Sequence, residues 1–440
     1  SFCLWDVYSG RMQPVQGNKD HLFERSKETL GLLYADHFHY LQKKTARGVR
    51  RTPFHHHLQE NGAVFGELAG WERANWFANP GQDPSYAYSW KRQTFFDNVA
   101  AEHKAVRSNL GLYDMSSFGK IRVEGPDACA FMNYIGGGQY DVPLGKIVYT
   151  QFLNDRAGIE ADVTVTRLSE TCYLVVTPAA TRLADQTWMM RHKGAFNVVI
   201  TDVTAGEAVL AVMGPNARKL LERVSPNDFS NAHNPFGTAQ EIELGMGLAR
   251  AHRVTYVGEL GWEVYVSADM AGHAFETIWQ AGQQMEAKLC GMHMMDSCRI
   301  EKGFRHFGHD ITCEDHVLEA GLGFAVKTDK AEFIGRDAVL RKKDAGLDAR
   351  MVQFKLTDPE PLLYHNEPVL RDGEIVGYLS SGNYGHHLGG AIGLGYVPCA
   401  GESAAEVLAS SYEIDVAGTR VVAEASLKPL YDPTGARAKA

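Results

Sequence analysis

The chain contains 440 residues, 45% of them hydrophobic and 22% charged, which is an ordinary globular composition. A formal net charge of −9 argues against a general nucleic-acid binder, because such proteins need a basic surface to displace phosphate counterions. No apolar run approaches the roughly 20 residues that span a bilayer, and residues 1–10 lack the features of a signal peptide. We therefore expect two to four domains, no nucleic-acid partner and no membrane association.

The cysteines indicate the redox environment. There are seven, an odd number, and no two of them are spaced as Cys-x-x-Cys. In a chain of this length the pattern is typical of reduced thiols in a cytosol-like compartment. The sequence therefore predicts a cytoplasmic protein in which most cysteines are small core residues.

Within the N-terminal segment, residues 1–90, the stretch from Phe2 to about Phe77 is rich in aromatic, His and Arg residues. Apolar residues at helical spacing predict a helix within His21–His39. The stretch Ala78–Pro84 is rich in Pro, Gly, Asn and Asp, which is typical of a linker or a long loop. A clearer helix is predicted over Thr94–Asn109, and Gly111 lies just past its end.

Short strand-like runs follow this helix, and Gly and Pro residues separate them. The predicted strands are Lys120–Val123, Ile147–Leu153, Asp162–Thr166 and Tyr173–Thr177. Gly125-Pro-Asp-Ala128 precedes a predicted helix over Asp127–Tyr134, and Gly214-Pro-Asn-Ala-Arg218 leads into a second helix over Lys219–Val224. These two similar strand-turn-helix units indicate an internal duplication with α+β halves.

A third section begins near Arg336 and consists of short predicted strands with turn residues between them. These strands are Val352–Leu356, Pro368–Leu370, Gly377–Ser380, Ala391–Tyr396 and Ala405–Val407. Short strands at regular spacing are typical of a small β-barrel. We therefore predict a separate barrel domain at the C-terminal end.

A predicted hairpin carries the most informative candidate for a binding site. Val254–Tyr256 and Trp262–Val266 are predicted strands, and Gly258–Gly261 is a tight turn that would bring Tyr256 close to Glu263. A carboxylate facing a pocket can accept two parallel N–H bonds from an amino-pyrimidinone edge, and a neighbouring aromatic ring supplies a packing wall. Spacing alone favours the simpler alternative, a hairpin that exposes its Glu to solvent.

This stretch resembles the pterin-binding hairpin of the T-protein (aminomethyltransferase) family, whose usual form is Tyr-x-Gly-Glu-x-Gly-(aromatic)-Glu. By this resemblance Glu263 falls on the pterin-binding glutamate, and Tyr256 falls on a tyrosine that lines the same pocket in dehydrogenase-fused members. Phe118 falls where an apolar residue packs on the folate. The resemblance also places Tyr149 and Arg299 among the residues expected near the folate.

Further blocks extend the resemblance along nearly the whole chain, in the form that is fused to dimethylglycine and sarcosine dehydrogenases. The blocks are Ser26–Tyr34, Gly66–Arg73, Leu112–Lys120, Gly145–Gln151, Asp296–Glu301, Lys302–Asp310, Leu318–Gly323 and Ser380–Gly385, the last resembling a loop of the C-terminal barrel. The family implies an α+β fold, a multidomain ring with duplicated α+β halves and a small C-terminal β-barrel. It divides the chain into a linking segment (1–90), folate-binding domains (91–335) and the barrel (336–440), with tetrahydrofolate as the cofactor.

Two departures from the family pattern bear on the reaction. No Gly-x-Gly-x-x-Gly fingerprint of a flavin domain follows an N-terminal strand, and removing a hydride from an N-methyl group needs such an electron sink. Where the family is expected to carry a catalytic aspartate, about six residues before Gly145, this chain has Gln139. Gln orients a substrate but cannot act as a base at neutral pH, and Asp141 would replace it only if the loop shifted. The predicted catalytic candidates are Gln139 and Asp141, and the departure favours methyl transfer over methylene capture.

Three hypotheses follow. The leading one is an enzyme that transfers a methyl group to tetrahydrofolate from a methylated small molecule, with an N-methylated amine or amino acid as the expected donor. The second is the folate-binding subunit of a split dimethylglycine/sarcosine-type dehydrogenase, which makes 5,10-methylenetetrahydrofolate with a flavoprotein partner. The third is a non-catalytic regulatory homologue.

No metal site is predicted. Consecutive histidines such as His55-His56-His57 rarely converge on one ion. His306 and His309 have better spacing, but they match a structural turn of the family.

Overall fold

The computed structural model describes Val7 and residues 11–440. Its N-terminal part is a three-stranded sheet of order β1-β3-β2 with two helices. The elements are α1 (Lys19–Gly31), β1 (Arg50–Arg51), α2 (His55–Glu60), β2 (Ala63–Leu68) and β3 (Trp71–Phe77). The Asn18 side chain caps the start of α1 by accepting two backbone N–H groups. The helix predicted within His21–His39 is therefore present, but it ends early, at Gly31.

Helix α3 (Phe96–Ser108) confirms the helix predicted over Thr94–Asn109, and strand β4 (Gly111–Asp114) follows it. Two similar α+β halves come next. The first contains β5 (Gly119–Glu124), α4 (Ala128–Ile135), β6 (Ile147–Leu153), β7 (Ile159–Ser169), β8 (Cys172–Thr177), α5 (Arg182–His192) and β9 (Val199–Asp202). The second contains β10 (Glu207–Met213), α6 (Ala217–Val224), β11 (Ala239–Leu244), β12 (Gly247–His252), β13 (Gly261–Ser267), α7 (Ala271–Gln283) and β14 (Lys288–Leu289).

The two halves share one strand order, as the predicted duplication requires. The first sheet has the order β6-β7-β8-β5-β9, and the second has the order β11-β12-β13-β10-β4-β14. Each strand of the first sheet has a counterpart at the same place in the second sheet, which contains β4 as one additional strand. Strand β9 is antiparallel to β5, and β14 runs opposite to β10 because it is parallel to the intervening β4. Order and direction therefore both repeat.

A Gly-Pro turn stands between the first strand and the first helix of each half. Gly125 has a φ of +147° and Gly214 a φ of +132°, values that L side chains rarely adopt. A Cβ would lie 2.2 Å from the backbone oxygen of Asn197 in the first half and 2.4 Å from that of Asn109 in the second. Both turns therefore require glycine, which explains why the sequence signal repeats.

The remaining residues form helices α8 (Met292–Glu301) and α9 (Arg336–Ala345) and a closed barrel of strand order β15-β18-β17-β16-β19-β20. The barrel elements are β15 (Ala349–Leu356), β16 (Pro368–Arg371), β17 (Glu374–Gly385), β18 (Gly390–Pro398), α10 (Ala404–Ala409), β19 (Tyr412–Val416) and β20 (Thr419–Ser426). The predicted barrel is confirmed. The strand predicted over Ala405–Val407 is wrong, because Ser403 and Glu406 form a capping box that starts α10 there. Ser380–Gly385 belongs to β17 and is not a loop.

The predicted hairpin around Glu263 has a different partner strand. Strand β13 pairs with β12, so that His252 lies opposite Glu263. Residues 253–260 form an irregular connection, and Val254–Tyr256 is therefore not a strand. Gly258, with a φ of +82°, turns the backbone within this connection. The connection is longer than a two-residue turn, which frees its side chains from the sheet.

Hydrophobic clusters fill each half and the barrel. A further cluster, which includes Met115, Tyr265 and Met295, joins the second sheet to α3 and α8. Over the described part of the chain, no helix combines the length and the apolar character needed to cross a membrane.

Candidate functional site

A cavity of about 1320 Å³ is lined by both sheets, the N-terminal segment, α8 and the start of the barrel. Ordinary ligand pockets measure roughly 300–1,000 Å³. This cavity therefore has room for a large cofactor together with a second small molecule. Four of the seven predicted site residues line it: Phe118, Tyr149, Tyr256 and Glu263.

Glu263 faces the cavity from β13 with its side chain buried. The Tyr265 hydroxyl donates to its Oε2 at 2.8 Å, and its Oε1 has no hydrogen bond within the described residues. Burial raises the pKa of Glu263 to about 7, although the Tyr265 hydrogen bond and the nearby Lys120 ammonium oppose the shift. A buried carboxylate with an unused acceptor suits the paired N–H donors of an amino-pyrimidinone ring.

Three aromatic side chains that were predicted to contact the cofactor share this cavity, namely Phe118, Tyr149 and Tyr256. The Tyr256 hydroxyl donates to the backbone oxygen of Arg305 at 2.7 Å, and its ring stacks on Phe304 with 5.9 Å between centroids. These contacts fix the orientation of the Tyr256 ring. The cavity thus combines a carboxylate with flat apolar surfaces, which is what a pteridine ring needs.

Asp162 on β7 also lines the cavity, although no motif in the sequence points to it. Its register partner on β6 is Gln151, whose Nε2 donates to Asp162 Oδ1 at 2.8 Å. Burial raises the pKa of Asp162 to about 6, although hydrogen bonds from Gln151 and Tyr149 oppose the shift. A half-buried carboxylate with such a pKa can both accept and release a proton near neutral pH.

A signal for Asp162 is present in the strand pattern. Along β7, buried Ile159, Ala161 and Val163 alternate with the polar residues Glu160 and Asp162. In a strand at the surface, such an alternation places the polar residues toward solvent. Here both carboxylates line the cavity instead. Two acidic residues on one face of a strand are the feature that would have identified this wall.

Arg299 does not line the cavity but is buried behind it. Its guanidinium pairs with Asp296 at 2.7 Å and with Asp310 at 2.8 Å, and it donates to the Ser381 hydroxyl of β17 at 3.2 Å. Arg299 therefore fixes α8 to the barrel. It supports the cavity through Asp296, which is a lining residue.

The two predicted catalytic residues lie elsewhere. Gln139 is exposed and Asp141 is exposed, and neither lines the cavity. Asp141 Oδ1 forms an ion pair with Arg167 at 2.9 Å, so its carboxylate is already engaged. Asp162, in contrast, lies in the cavity together with the predicted aromatic residues.

The histidines that were considered as metal ligands lie in two places. His55, His56 and His57 begin α2, whereas His306 and His309 line the cavity with ring centroids 4.6 Å apart. Burial lowers the pKa of His306 to about 4, so its ring is neutral at physiological pH. Among residues 11–440, no group of three or more His, Cys, Asp or Glu side chains is arranged to hold a metal ion.

Known families match most of the chain. Residues 54–330 match the GCVT N-terminal domain, and residues 350–432 match the glycine cleavage T-protein C-terminal barrel domain. The chain belongs to the T-protein family. Residues 3–52 match the FAD dependent oxidoreductase central domain.

Comparison of this T-protein homologue with individual proteins agrees with the family assignment. It is 45% identical over 428 residues to a 4-methylaminobutanoate oxidase (formaldehyde-forming) of Paenarthrobacter nicotinovorans, which covers 97% of the chain and 51% of the oxidase. It is 32% identical over 345 residues to human mitochondrial dimethylglycine dehydrogenase, which covers 77% of the chain and 39% of that protein. The chain thus spans about half the length of these relatives or less. The crystal structure of aminomethyltransferase T of the Bartonella henselae glycine cleavage system matches 88% of the chain with a TM-score of 0.75 and 24% identity; the match covers 99% of that structure and shows the fold.

Proposed function

We propose that this T-protein homologue binds tetrahydrofolate in the cavity and transfers to it a one-carbon unit from an N-methylated amine or amino acid. The observation that best supports the proposal is that Glu263, Asp162 and three aromatic side chains line one cavity. The names of two relatives agree with it, because 4-methylaminobutanoate and dimethylglycine are both N-methylated amino acids.

The residues present fit tetrahydrofolate. The Glu263 carboxylate would accept the N–H donors of the pterin, while Phe118, Tyr149 and Tyr256 would flank its ring. When bound, tetrahydrofolate supplies the nucleophilic nitrogens that take up the one-carbon unit. The protein then contributes position and electrostatics, which are large effects when reacting groups are held together out of water.

Asp162 is the residue to which we assign proton transfer. The hydrogen bond from Gln151 Nε2 to its Oδ1 holds the carboxylate in place while it would accept and release the proton. A pKa of about 6 leaves the carboxylate largely ionised at neutral pH and still able to return a proton to a leaving amine.

The Asp162 carboxylate also bears on the oxidation level of the carbon that is transferred. Direct methyl transfer was favoured by Gln139, but that residue is exposed and lies outside the cavity. A carboxylate poised for proton transfer favours capture of carbon at the level of formaldehyde, which gives 5,10-methylenetetrahydrofolate. The match of residues 3–52 to a FAD dependent oxidoreductase domain supports a flavin-linked source for this carbon.

The test labels the methyl group of an N-methylated amino acid with ¹³C. The protein is incubated with tetrahydrofolate and the labelled donor, with and without a flavin-dependent amine dehydrogenase, in the presence of a formaldehyde scavenger. Labelled methylene-folate that needs both proteins is expected, and the Asp162→Asn protein should form it more slowly by about 100-fold or more. Labelled methyl-folate without any flavoprotein would instead establish direct methyl transfer, and the absence of labelled folate throughout would favour a non-catalytic homologue.

A further inference from the structure

Arg73 lies on β3 of the N-terminal sheet, and its side chain lines the cavity in which the folate site is proposed. Asn75 on the same strand and His293 on α8 line the cavity with it. The Tyr86 hydroxyl accepts from Asn75 at 2.8 Å and lies 3.0 Å from His293 Nε2, so it connects β3 to α8. Arg73 therefore belongs to a wall that is held in place by hydrogen bonds.

The guanidinium of Arg73 has no hydrogen bond and no ion pair within the described residues. The carboxylates of Asp114 and Asp296 lie close enough to attract it, but other groups occupy them. Asp114 accepts from the Thr52 hydroxyl at 2.5 Å, and Asp296 accepts from Arg299 at 2.7 Å. The N–H donors of Arg73 thus remain available in the cavity.

The other buried or half-buried cations that line the cavity are already engaged. Lys302 pairs with Asp432 at 2.8 Å, and Arg305 donates to the backbone oxygen of Ala320 at 3.0 Å. Burial lowers the pKa of Arg73 to about 10, so this side chain still carries its charge at neutral pH. Arg73 is half-buried, and a cation that loses solvent without gaining a partner weakens the fold, which makes this residue a candidate for ligand binding.

We propose that Arg73 forms a second subsite in the cavity and binds the carboxylate of the one-carbon donor. A guanidinium pairs with a carboxylate through two parallel hydrogen bonds. The volume of about 1320 Å³ leaves space for this donor beside a folate. Cavity carboxylates such as Asp162 complement the cationic nitrogen of an amino acid, while Arg73 complements its acidic end. The inference rests on the proposed function and narrows the donor from methylated amines to N-methylated amino acids.

The glutamate tail of folate also carries carboxylates and is the second source of the same chemistry. The two sources differ in what removal of Arg73 does. If Arg73 binds the donor, its removal weakens the binding only of donors that have a carboxylate. If Arg73 binds the folate tail, its removal lowers the affinity for folate, and the decrease grows with the number of glutamates.

The experiment is a calorimetric titration of three proteins, namely the unaltered chain, Arg73→Met and the matched control Arg341→Met on the exposed face of α9. The probes are N,N-dimethylglycine, 4-methylaminobutanoate, their neutral amides, and 5-formyltetrahydrofolate with one or five glutamates. The unaltered chain should bind at least one acid about 10- to 100-fold more tightly than its amide, the range expected for a hydrogen bond to a charged group. Arg73→Met should abolish this preference and leave folate affinity within about twofold of the unaltered chain, while Arg341→Met should behave like the unaltered chain.

Two titration results would overturn the subsite. One is equal binding of acids and amides by the unaltered chain. The other is a glutamate-dependent loss of folate affinity in Arg73→Met. If the folate proposal itself is wrong, the unaltered chain will not bind 5-formyltetrahydrofolate, and this outcome is distinct from the two above.

Thermal unfolding separates a ligand-binding Arg73 from a structural one. Because the charge has no partner, Arg73→Met should raise the Tm of the ligand-free protein. Dimethylglycine or 4-methylaminobutanoate should raise the Tm of the unaltered chain and not that of Arg73→Met. A Tm that falls in the ligand-free variant would show that Arg73 stabilises the fold, and it would contradict the proposal.

Discussion

Replacement of Glu263 by Gln should weaken folate binding while it stabilises the ligand-free protein. Glu263 is only 7% exposed, and its pKa is raised by burial from 4.5 to about 7. The Tyr265 hydroxyl can still donate to the amide oxygen of a Gln, so the wall keeps its shape. The substitution removes the charge and places an N–H group where a pterin N–H would donate.

The magnitude follows from the two hydrogen bonds that the carboxylate would accept. A hydrogen bond to a charged group contributes about 1.5 kcal/mol at the low end of its range. Two of them amount to about 3 kcal/mol, or roughly a hundredfold in Kd. In the unaltered chain, affinity should also fall by roughly tenfold per pH unit below pH 7, because the ionised form of Glu263 binds the pterin.

The effect on stability has the opposite sign. The pKa of Glu263 is higher in the folded chain than its ordinary value of 4.5, so the folded state binds more protons and loses stability as the pH rises from about 4.5 through 7. Glu263→Gln should therefore raise the Tm at pH 8 and leave it unchanged at pH 4.

The assay is calorimetric titration with 5-formyltetrahydrofolate at pH 6, 7 and 8, together with thermal unfolding. Glu241→Gln on exposed β11 of the same sheet is the matched control, and we expect it to bind like the unaltered chain. Affinity that is unchanged in Glu263→Gln, or a pH dependence that persists in it, would refute the assignment of the pterin-binding carboxylate.

The remaining predictions concern catalysis and the support of the cavity. Asp162→Asn should slow formation of the folate product by about 100-fold or more in single-turnover assays, with folate affinity retained. The reason is that proton transfer by a positioned group accelerates a reaction by about 10²–10⁴. An unchanged rate would exclude Asp162 as the proton-transfer group. Gln139→Ala should leave that rate unchanged, and a large loss would return Gln139 to the reaction. Arg299→Met should lower the free energy of unfolding in urea by about 3–5 kcal/mol, because Asp296 and Asp310 lose a buried partner; a smaller change would mean that solvent replaces it.

The parts of the fold that local patterns determine were predictable. The repeated Gly-Pro turns at Gly125 and Gly214 marked the duplication, because a positive φ and a nearby carbonyl oxygen exclude any other residue. The long helix α3 and four barrel strands were visible from periodicity. The helix α10 was missed because Ala404–Ala409 is short and its apolar residues suit a strand as well.

The site was predictable only in part. Glu263 and Tyr256 lie in one short motif, whereas Asp162 faces the cavity because β7 pairs with β6 and the wall is completed by distant segments. Gln139 lies in the connection between α4 and β6, and its distance from Gly145 along the chain carries no information about whether that connection faces the cavity. Long-range contacts of this kind are set by the tertiary fold.

A crystal structure of the protein with a bound reduced folate tests the central claim most directly. We expect the pterin edge to donate to the Glu263 carboxylate, with its ring between Phe118, Tyr149 and Tyr256 and with Asp162 next to the reactive nitrogens. A folate bound elsewhere on the chain, or bound in the cavity with its pterin away from Glu263, would contradict the proposed site.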